Sequence, residues 1–221
     1  MRGQLSLKVC LLVSLLLPVV WQAVAVAEKV KSDPHKWAIL IGVDDYIDAT
    51  DLKYCGADQL ALQKHLIASG FPQEQVFLLH TKAEEQKYLP FKRNIEKQLK
   101  LILSLVEEDD IVVLAFSGHG VHFDESSYLC PTDAELADPE TLISIPSLYT
   151  RLKKCNASMK LMLVDACRND PRPGGQRTLT EGTKEFARSL KDQRPPEGVV
   201  LLNSCAPGEI SWEDDDFGHG V

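Results

Sequence analysis

Residues 111–120 have the sequence IVVLAFSGHG, an apolar run that ends in small residues and one histidine. The acidic pair Asp109 and Asp110 precedes the run. A continuous apolar segment with such boundaries is typical of a strand buried on both faces of a sheet. Because α/β sheets keep their functional sites beyond the carboxyl ends of their strands, we expect His119 to lie at that edge.

Residues 160–169, with the sequence KLMLVDACRN, repeat this pattern. Cys167 follows the second apolar run at the position that His119 occupies after the first. Two strands that end in a histidine and a cysteine predict a Cys/His pair for nucleophilic catalysis, provided that both strands belong to one sheet.

Strand and helix patterns alternate along the rest of the chain. In chain order we predict a strand at 37–43, a helix at 57–69, a strand at 76–79, a helix at 91–106, the strand before His119, a loop at 128–131, a helix at 142–152, the strand before Cys167, a short helix at 183–190 and a strand at 199–204. Such alternation predicts an α/β fold with a mainly parallel sheet.

The composition is that of a soluble globular protein with one sizeable core. The chain has 221 residues, of which 44% are hydrophobic and 25% charged. Its formal net charge of −8 argues against nucleic acid as a partner, since phosphate binding requires a basic surface. The same charge mildly favours cationic substrates.

The first 27 residues resemble a secretory signal peptide. Arg2 and Lys8 form a basic start, residues 9–20 form an apolar core, and two small-residue cleavage sites end at Ala25 and Ala27. An uncleaved anchor is the alternative, although the apolar run is short for a span of about 20 residues. We therefore expect a signal peptide at 1–27, a polar lead at 28–35 and one domain at 36–221. The mature protein would be exported, periplasmic or extracellular, without membrane contact after cleavage.

Five cysteines remain after residue 27, and this odd number leaves at least one thiol free. We interpret Cys130 and Cys155 as buried small hydrophobic residues.

In the Cys/His hypothesis, Cys167 is the nucleophile. His119 would exchange the thiol proton, and Gly120 would offer an unhindered N–H to the oxyanion. The alternatives are a packing cysteine and a structural histidine.

The two motifs resemble those of the caspase-like cysteine peptidases. They are SGHG at 117–120 and DACR at 165–168, with the histidine and the cysteine 48 positions apart. Asp165 stands where animal caspases have Gln, and Asn169 stands where they have Gly, which points to the metacaspase and bacterial caspase-like branch. The resemblance, which extends from residue 37 to the chain end, implies a caspase-like three-layer α/β/α sandwich and cysteine endopeptidase activity.

The resemblance also implies an acidic pocket for the residue before the cleaved bond. Cys55, Asp58, Ser117 and Asp165 match the metacaspase pocket positions. Two carboxylates in one cleft would favour Arg or Lys through charge-assisted hydrogen bonds. Protein or peptide substrates with basic residues are therefore expected. Alternatively, Asp58 is a carboxylate at a helix start and Asp165 a structural acceptor.

We predict no metal and no cofactor. Calcium-dependent metacaspases place an aspartate pair near the helix where residues 142–147 of this chain carry no carboxylate. Two other functions remain open: a caspase-fold interaction domain without catalysis, and an amidase that uses the same Cys/His chemistry.

The linker at 170–198 is rich in proline, glycine and charge, and is a candidate for self-cleavage. The basic residues that would be cut are Arg172, Arg177, Arg188, Lys191 and Arg194. We also expect the domain to be truncated at its C-terminus.

Overall fold

The computed structural model describes residues 33–123, 126–166, 194–204, 213–214 and 219–220. The larger elements are β1 (Lys36–Gly42), α1 (Cys55–Ala68), β2 (Val76–His80), α2 (Lys92–Leu105), β3 (Ile111–Ser117), β4 (Gly120–Phe123), β5 (Ser126–Leu129), β6 (Ile143–Ser144), α3 (Ile145–Lys154), β7 (Met159–Asp165) and β8 (Val199–Asn203). A short antiparallel pair, β9 (Glu213–Asp214) and β10 (His219–Gly220), follows.

Within the described residues, the central sheet has five strands, all parallel, in the order β2-β1-β3-β7-β8. Its register brings the last residues of the middle strands into line, so that Gly42 of β1 pairs with Ser117 of β3 and Ser117 pairs with Asp165 of β7. All five strands end at the same edge of the sheet. The α/β class with a mainly parallel sheet is therefore confirmed.

Helices cover both faces of this sheet, because alternate residues of the central strands point into two separate apolar clusters. On one face, Leu40 and Ala115 pack with Leu62 and Leu66 of α1. On the other, Leu114 packs into the larger cluster that contains α2 and α3 side chains such as Ile95, Leu99, Leu148 and Leu152. The result is the expected α/β/α sandwich.

Asp110 fixes the starts of β1 and β3 together. Its carboxylate accepts hydrogen bonds from the His35 N–H at 2.9 Å, the Trp37 indole N–H at 3.0 Å and the Glu107 N–H at 2.9 Å. Asp110 is only 3% exposed. Burial alone would raise its pKa, but these hydrogen bonds outweigh burial, and the pKa is lowered.

The predicted loop at 128–131 is wrong for its first half. Tyr128 and Leu129 belong to β5, which forms a small antiparallel sheet with β4 and β6. The segment alternates half-buried and buried residues, a pattern of period two that is too short to be distinctive in the sequence. This sheet continues directly from the end of β3, and it therefore holds the residues that follow His119.

The other predicted elements agree with the structure within a few residues. The largest difference is at α3, which begins at Ile145 rather than at 142. Ser144 is its N-cap and accepts a hydrogen bond from the Ser147 N–H, while Pro146 occupies the first turn, where a missing N–H has no cost. The predicted helix at 183–190 lies outside the described residues.

Cys130 and Cys155 are buried free thiols, as predicted. Burial raises the pKa of the Cys130 thiol far above its usual value. None of the helices in the described part of the chain is long and apolar enough to cross a membrane.

Candidate active site

His119 lies two residues beyond the end of β3 and is completely buried. Its backbone is held on both sides. The N–H donates to the Tyr46 hydroxyl at 2.8 Å, and the carbonyl oxygen accepts from the Cys130 N–H at 2.9 Å. The chain around His119 is therefore tied both to the loop after β1 and to the end of β5.

The imidazole of His119 is oriented by the same loop after β1. Its Nε2 lies 2.7 Å from the carbonyl oxygen of Thr50. A carbonyl can only accept, so Nε2 carries the hydrogen, and in the neutral ring Nδ1 is the basic nitrogen. The Tyr46 ring packs against the imidazole with 4.7 Å between ring centroids.

Gly118 allows Tyr46 to approach this closely. A Cβ atom at residue 118 would lie 2.7 Å from the Tyr46 hydroxyl oxygen and 2.9 Å from Cζ of Phe116. Both distances are shorter than real Cβ contacts allow. The glycine before the histidine is thus required by packing, a reason that the sequence pattern did not show.

Ser117 and Asp165, two of the predicted pocket residues, are in direct contact. They are register partners on β3 and β7, and the Ser117 hydroxyl donates to Oδ2 of Asp165 at 3.1 Å. The two strands are also joined here by a backbone hydrogen bond, which the Gly118 N–H donates to the Asp165 carbonyl at 3.0 Å. Ser204 supplies a second hydroxyl, which donates to Oδ1 of Asp165 at 2.6 Å.

Cys55 and Asp58 lie in the first turn of α1, which begins against the end of β1. A Cβ atom on Gly42 would lie 2.6 Å from the Cys55 carbonyl oxygen, so only glycine permits this close approach. Cys55 is fully buried, whereas Asp58 is half-buried. Their role in substrate binding stays a prediction, as do those of Ser117 and Asp165.

Asp44 fixes the start of α1. The helix has no side-chain cap from Tyr54, its N-cap residue. Instead, the carboxylate of Asp44 accepts from the Gly56 N–H at 3.2 and 3.1 Å for its two oxygens. Burial raises the pKa of Asp44, although the backbone N–H groups of Gly56 and Cys55 act in the opposite direction.

Cys167 lies outside the described residues, which end at Ala166 in this part of the chain. Gly120, the predicted oxyanion donor, is the first residue of β4 and pairs with Leu129. Among the described residues, no group of three or more His, Cys, Asp or Glu side chains is placed to hold a metal ion.

Sequence reasoning missed Tyr46, Thr50 and Ser204. Thr50 acts through a backbone carbonyl, which no side-chain pattern reveals. Tyr46 stands among aspartates in a loop and gave no signal of contact with residue 119. Ser204 could have been found, because it is a polar residue at the end of a predicted core strand, at the same sheet edge as Ser117 and Asp165.

The fold and the site define a class: a three-layer α/β/α protein with an oriented histidine at the carboxyl edge of a parallel sheet. The family model of the caspase domain matches residues 35–219. The chain therefore belongs to the caspase family, a family of cysteine peptidases, in agreement with the resemblance in the sequence motifs.

The chain is also similar to two known proteins. Metacaspase-3 of Arabidopsis thaliana is 27% identical over 154 residues, which are 60% of this chain and 42% of that protein. The match thus spans less than half of the relative's length. The crystal structure of protein GSU0716 from Geobacter sulfurreducens has a TM-score of 0.59 at 18% identity, and the match covers 85% of this chain and 78% of that one. At this identity the likeness shows the fold alone.

Proposed function

We propose that the protein is a cysteine endopeptidase that uses Cys167 as nucleophile and His119 as general acid and base. The observation that carries this proposal is the orientation of His119. Its Nε2–H is committed to the Thr50 carbonyl, which makes Nδ1 the proton acceptor of the neutral ring. The register of β3 and β7 supports the pairing, because His119 and Cys167 each follow a matched strand end by two residues.

The proposed reaction has two steps. The Cys167 thiol gives its proton to His119, and the sulfur attacks the carbonyl carbon, whose oxygen becomes an oxyanion that the N–H groups of Gly120 and Cys167 stabilise. The intermediate collapses as the C–N bond breaks, and His119 protonates the leaving amine. Water then attacks the thioester carbon with His119 as base, which releases the new carboxyl group and restores the thiol.

We further propose cleavage after Arg or Lys. The side chain of Asp165 lies at the sheet edge beside the end of β3, where its carboxylate accepts hydrogen bonds from the Ser117 and Ser204 hydroxyls. Asp58, in the first turn of α1, would supply a second negative charge. A guanidinium or ammonium group is the complementary partner of such a pocket.

Fluorogenic peptides that end in Arg, Lys or Asp test both proposals on the full chain. We expect turnover of the Arg and Lys peptides, little turnover of the Asp peptide, and a loss of at least about 10³-fold in Cys167→Ala. Cys155→Ala, which removes a buried thiol remote from the sheet edge, is the matched control. Rapid turnover of Asp peptides alone would overturn the specificity, and equal turnover by Cys167→Ala would overturn the mechanism.

The same preparations test self-processing in the linker at 170–198, which lies mostly outside the described residues. We propose that the active protein cuts itself there after a basic residue. Wild-type protein should then yield two fragments on a denaturing gel, while Cys167→Ala stays intact. Identical, uncut migration of an active wild type and of Cys167→Ala would exclude self-processing.

Exported localisation and removal of residues 1–27 also remain proposals. They are supported by the basic start, the apolar core and the small-residue sites of the sequence.

A further inference from the structure

Asp44 connects the loop after β1 to the start of α1. Its backbone carbonyl accepts from the Leu52 N–H at 2.7 Å and thereby closes the loop that orients His119. Both oxygens of its carboxylate accept from the Gly56 N–H, at 3.2 and 3.1 Å. One residue therefore holds the loop through its backbone and the helix through its side chain.

The carboxylate of Asp44 takes the place of a helix cap. Tyr54, the N-cap residue of α1, makes no side-chain cap hydrogen bond. Asp44 is only 4% exposed, so water cannot readily replace it beside the Gly56 N–H. The carboxylate is also held from the side of β2, where the Thr81 hydroxyl donates to Oδ2 at 3.4 Å.

The helical turn that Asp44 holds carries two residues of the predicted substrate pocket. Gly56 lies between Cys55 and Asp58 in the first turn of α1. Because the residues of one helical turn have fixed relative positions, a bond to the Gly56 N–H also fixes the backbone of its neighbours. The contact is close: a Cβ atom at residue 56 would lie 2.7 Å from Oδ2 of Asp44.

We infer that Asp44 is a positioning residue for substrate specificity, whose carboxylate holds the first turn of α1, with Cys55 and Asp58, in the position that the predicted pocket requires. This inference rests on the proposed cleavage after Arg or Lys. Asp44 exerts this role through α1 and not through contact with the reacting atoms.

The two links of Asp44 predict different effects on kcat and KM. A substitution of its side chain removes the bond to Gly56 but leaves the backbone bond to Leu52. The loop then still orients His119, so kcat should change little. A displaced first turn of α1 would weaken the recognition of a basic side chain, so KM should rise.

The test compares peptides that end in Arg with peptides that end in citrulline, which has the same shape without the charge. In the full chain with Asp44→Ala, the Arg-to-citrulline ratio of kcat/KM should fall about tenfold, mainly through a higher KM for the Arg peptide. Asp44→Asn, which keeps one acceptor oxygen for the Gly56 N–H, should retain most of the ratio.

Gly56→Ala tests the same contact from the side of the helix. Its Cβ atom would press against the Asp44 carboxylate, so the ratio should fall in this variant as well. Alanine is a better helix former than glycine, and a lower ratio therefore cannot come from a weaker helix propensity.

Asp133→Ala is the matched control, because Asp133 holds the start of α2 as Asp44 holds the start of α1. Phe91, the N-cap residue of α2, makes no side-chain cap hydrogen bond, and Oδ1 of Asp133 accepts from the Lys92 N–H at 2.8 Å. This variant should lower the melting temperature and leave the ratio unchanged.

Three outcomes would overturn the inference: an unchanged ratio in Asp44→Ala, an equal loss for both peptides, and the same fall of the ratio in Asp133→Ala. If Asp44→Ala does not fold, Gly56→Ala decides by the same criteria. In each of these cases a wild type that prefers Arg leaves the proposed function intact. A wild type with no preference for Arg over citrulline would overturn the inference and the proposed specificity together.

Discussion

Two residues, Tyr46 and Thr50, determine the backbone position and the ring orientation of His119. Tyr46 and Thr50 belong to the same loop after β1 and hold the backbone and the ring of the histidine, respectively. The Tyr46 N–H is itself bonded to Asp51 at 2.8 Å, so the loop is fixed from within. Burial raises the pKa of Tyr46 well above its usual value, and its hydroxyl therefore stays protonated at neutral pH.

Tyr46→Phe should reduce activity because the buried N–H of His119 loses its acceptor. We expect a loss of about 1–3 kcal/mol in the free energy of unfolding. We expect kcat to fall about 10- to 100-fold, because small displacements of a catalytic group are costly. Urea unfolding and steady-state kinetics measure the two effects.

Tyr149→Phe is the matched control for Tyr46→Phe. Tyr149 is also buried, but within the described part of the chain its hydroxyl has no hydrogen-bond partner. Its removal should leave stability unchanged or raise it, and should not affect kcat. A Tyr46→Phe variant with wild-type kcat would show that the hydroxyl does not position His119.

At the scale of single residues, the sequence could identify the side chains of the candidate site, but not the contacts made by backbone atoms. His119, Ser117 and Asp165 could be predicted because each is a polar residue at the end of an apolar strand. The Thr50 carbonyl could not, since every residue has a carbonyl and only the folded loop selects one.

At the scale of secondary structure, the sheet edge is set by the register of the strands, and the register is set at their starts. Asp110 holds the segments before β1 and β3 together, and the Ile111 N–H adds a bond to the His35 carbonyl at 2.9 Å. The residue pairs between β1 and β3 keep this register along both strands, as far as the pair of Gly42 and Ser117. Because a slip by one residue would move every side chain of a strand to the opposite face of the sheet, this register is kept as far as the carboxyl edge.

Asp110→Asn tests this role through the pH dependence of stability. The pKa of Asp110 is lower in the folded protein than its ordinary value near 3.8, so its ionised form stabilises the fold above that value. This stabilisation is lost as the pH falls through the folded pKa. At pH 7 we expect Asp110→Asn to lower the free energy of unfolding by about 1–3 kcal/mol.

The difference between wild type and Asp110→Asn should shrink below pH 3.8, where the wild-type carboxyl also takes up its proton. Urea unfolding at several pH values measures it. Glu108→Gln, a neighbouring change at an exposed position, is the control. A difference that does not vary with pH would show that the charge of Asp110 does not stabilise the fold.

The long elements were predictable and the short ones were not. Each central strand is a run of apolar residues, and α2 has a clear apolar face, so length and spacing identified them. β5 and β6 have four and two residues. They form strands only because β4, which follows β3, pairs with β5, and β5 in turn pairs with β6. Such tertiary pairing leaves little trace in the local sequence.

At the scale of the whole molecule, the parallel sheet brings polar residues from distant parts of the chain together. The loop after β1, the end of β3, the end of β7 and the residue after β8 all meet at one edge. Membership in the caspase family agrees with this arrangement. The three-layer class could be predicted from the alternation of strands and helices, whereas the sheet order 2-1-3-7-8 required the structure.

The measurement that tests the proposed chemistry most directly is covalent labelling of the full chain with an electrophilic peptide that ends in Arg. Mass spectrometry should find one adduct, on Cys167, and His119→Ala should slow its formation by about 10²-fold or more. An equivalent Asp peptide should not react. An adduct on another cysteine, or labelling of Cys167 at the same rate with and without His119, would contradict the Cys/His mechanism.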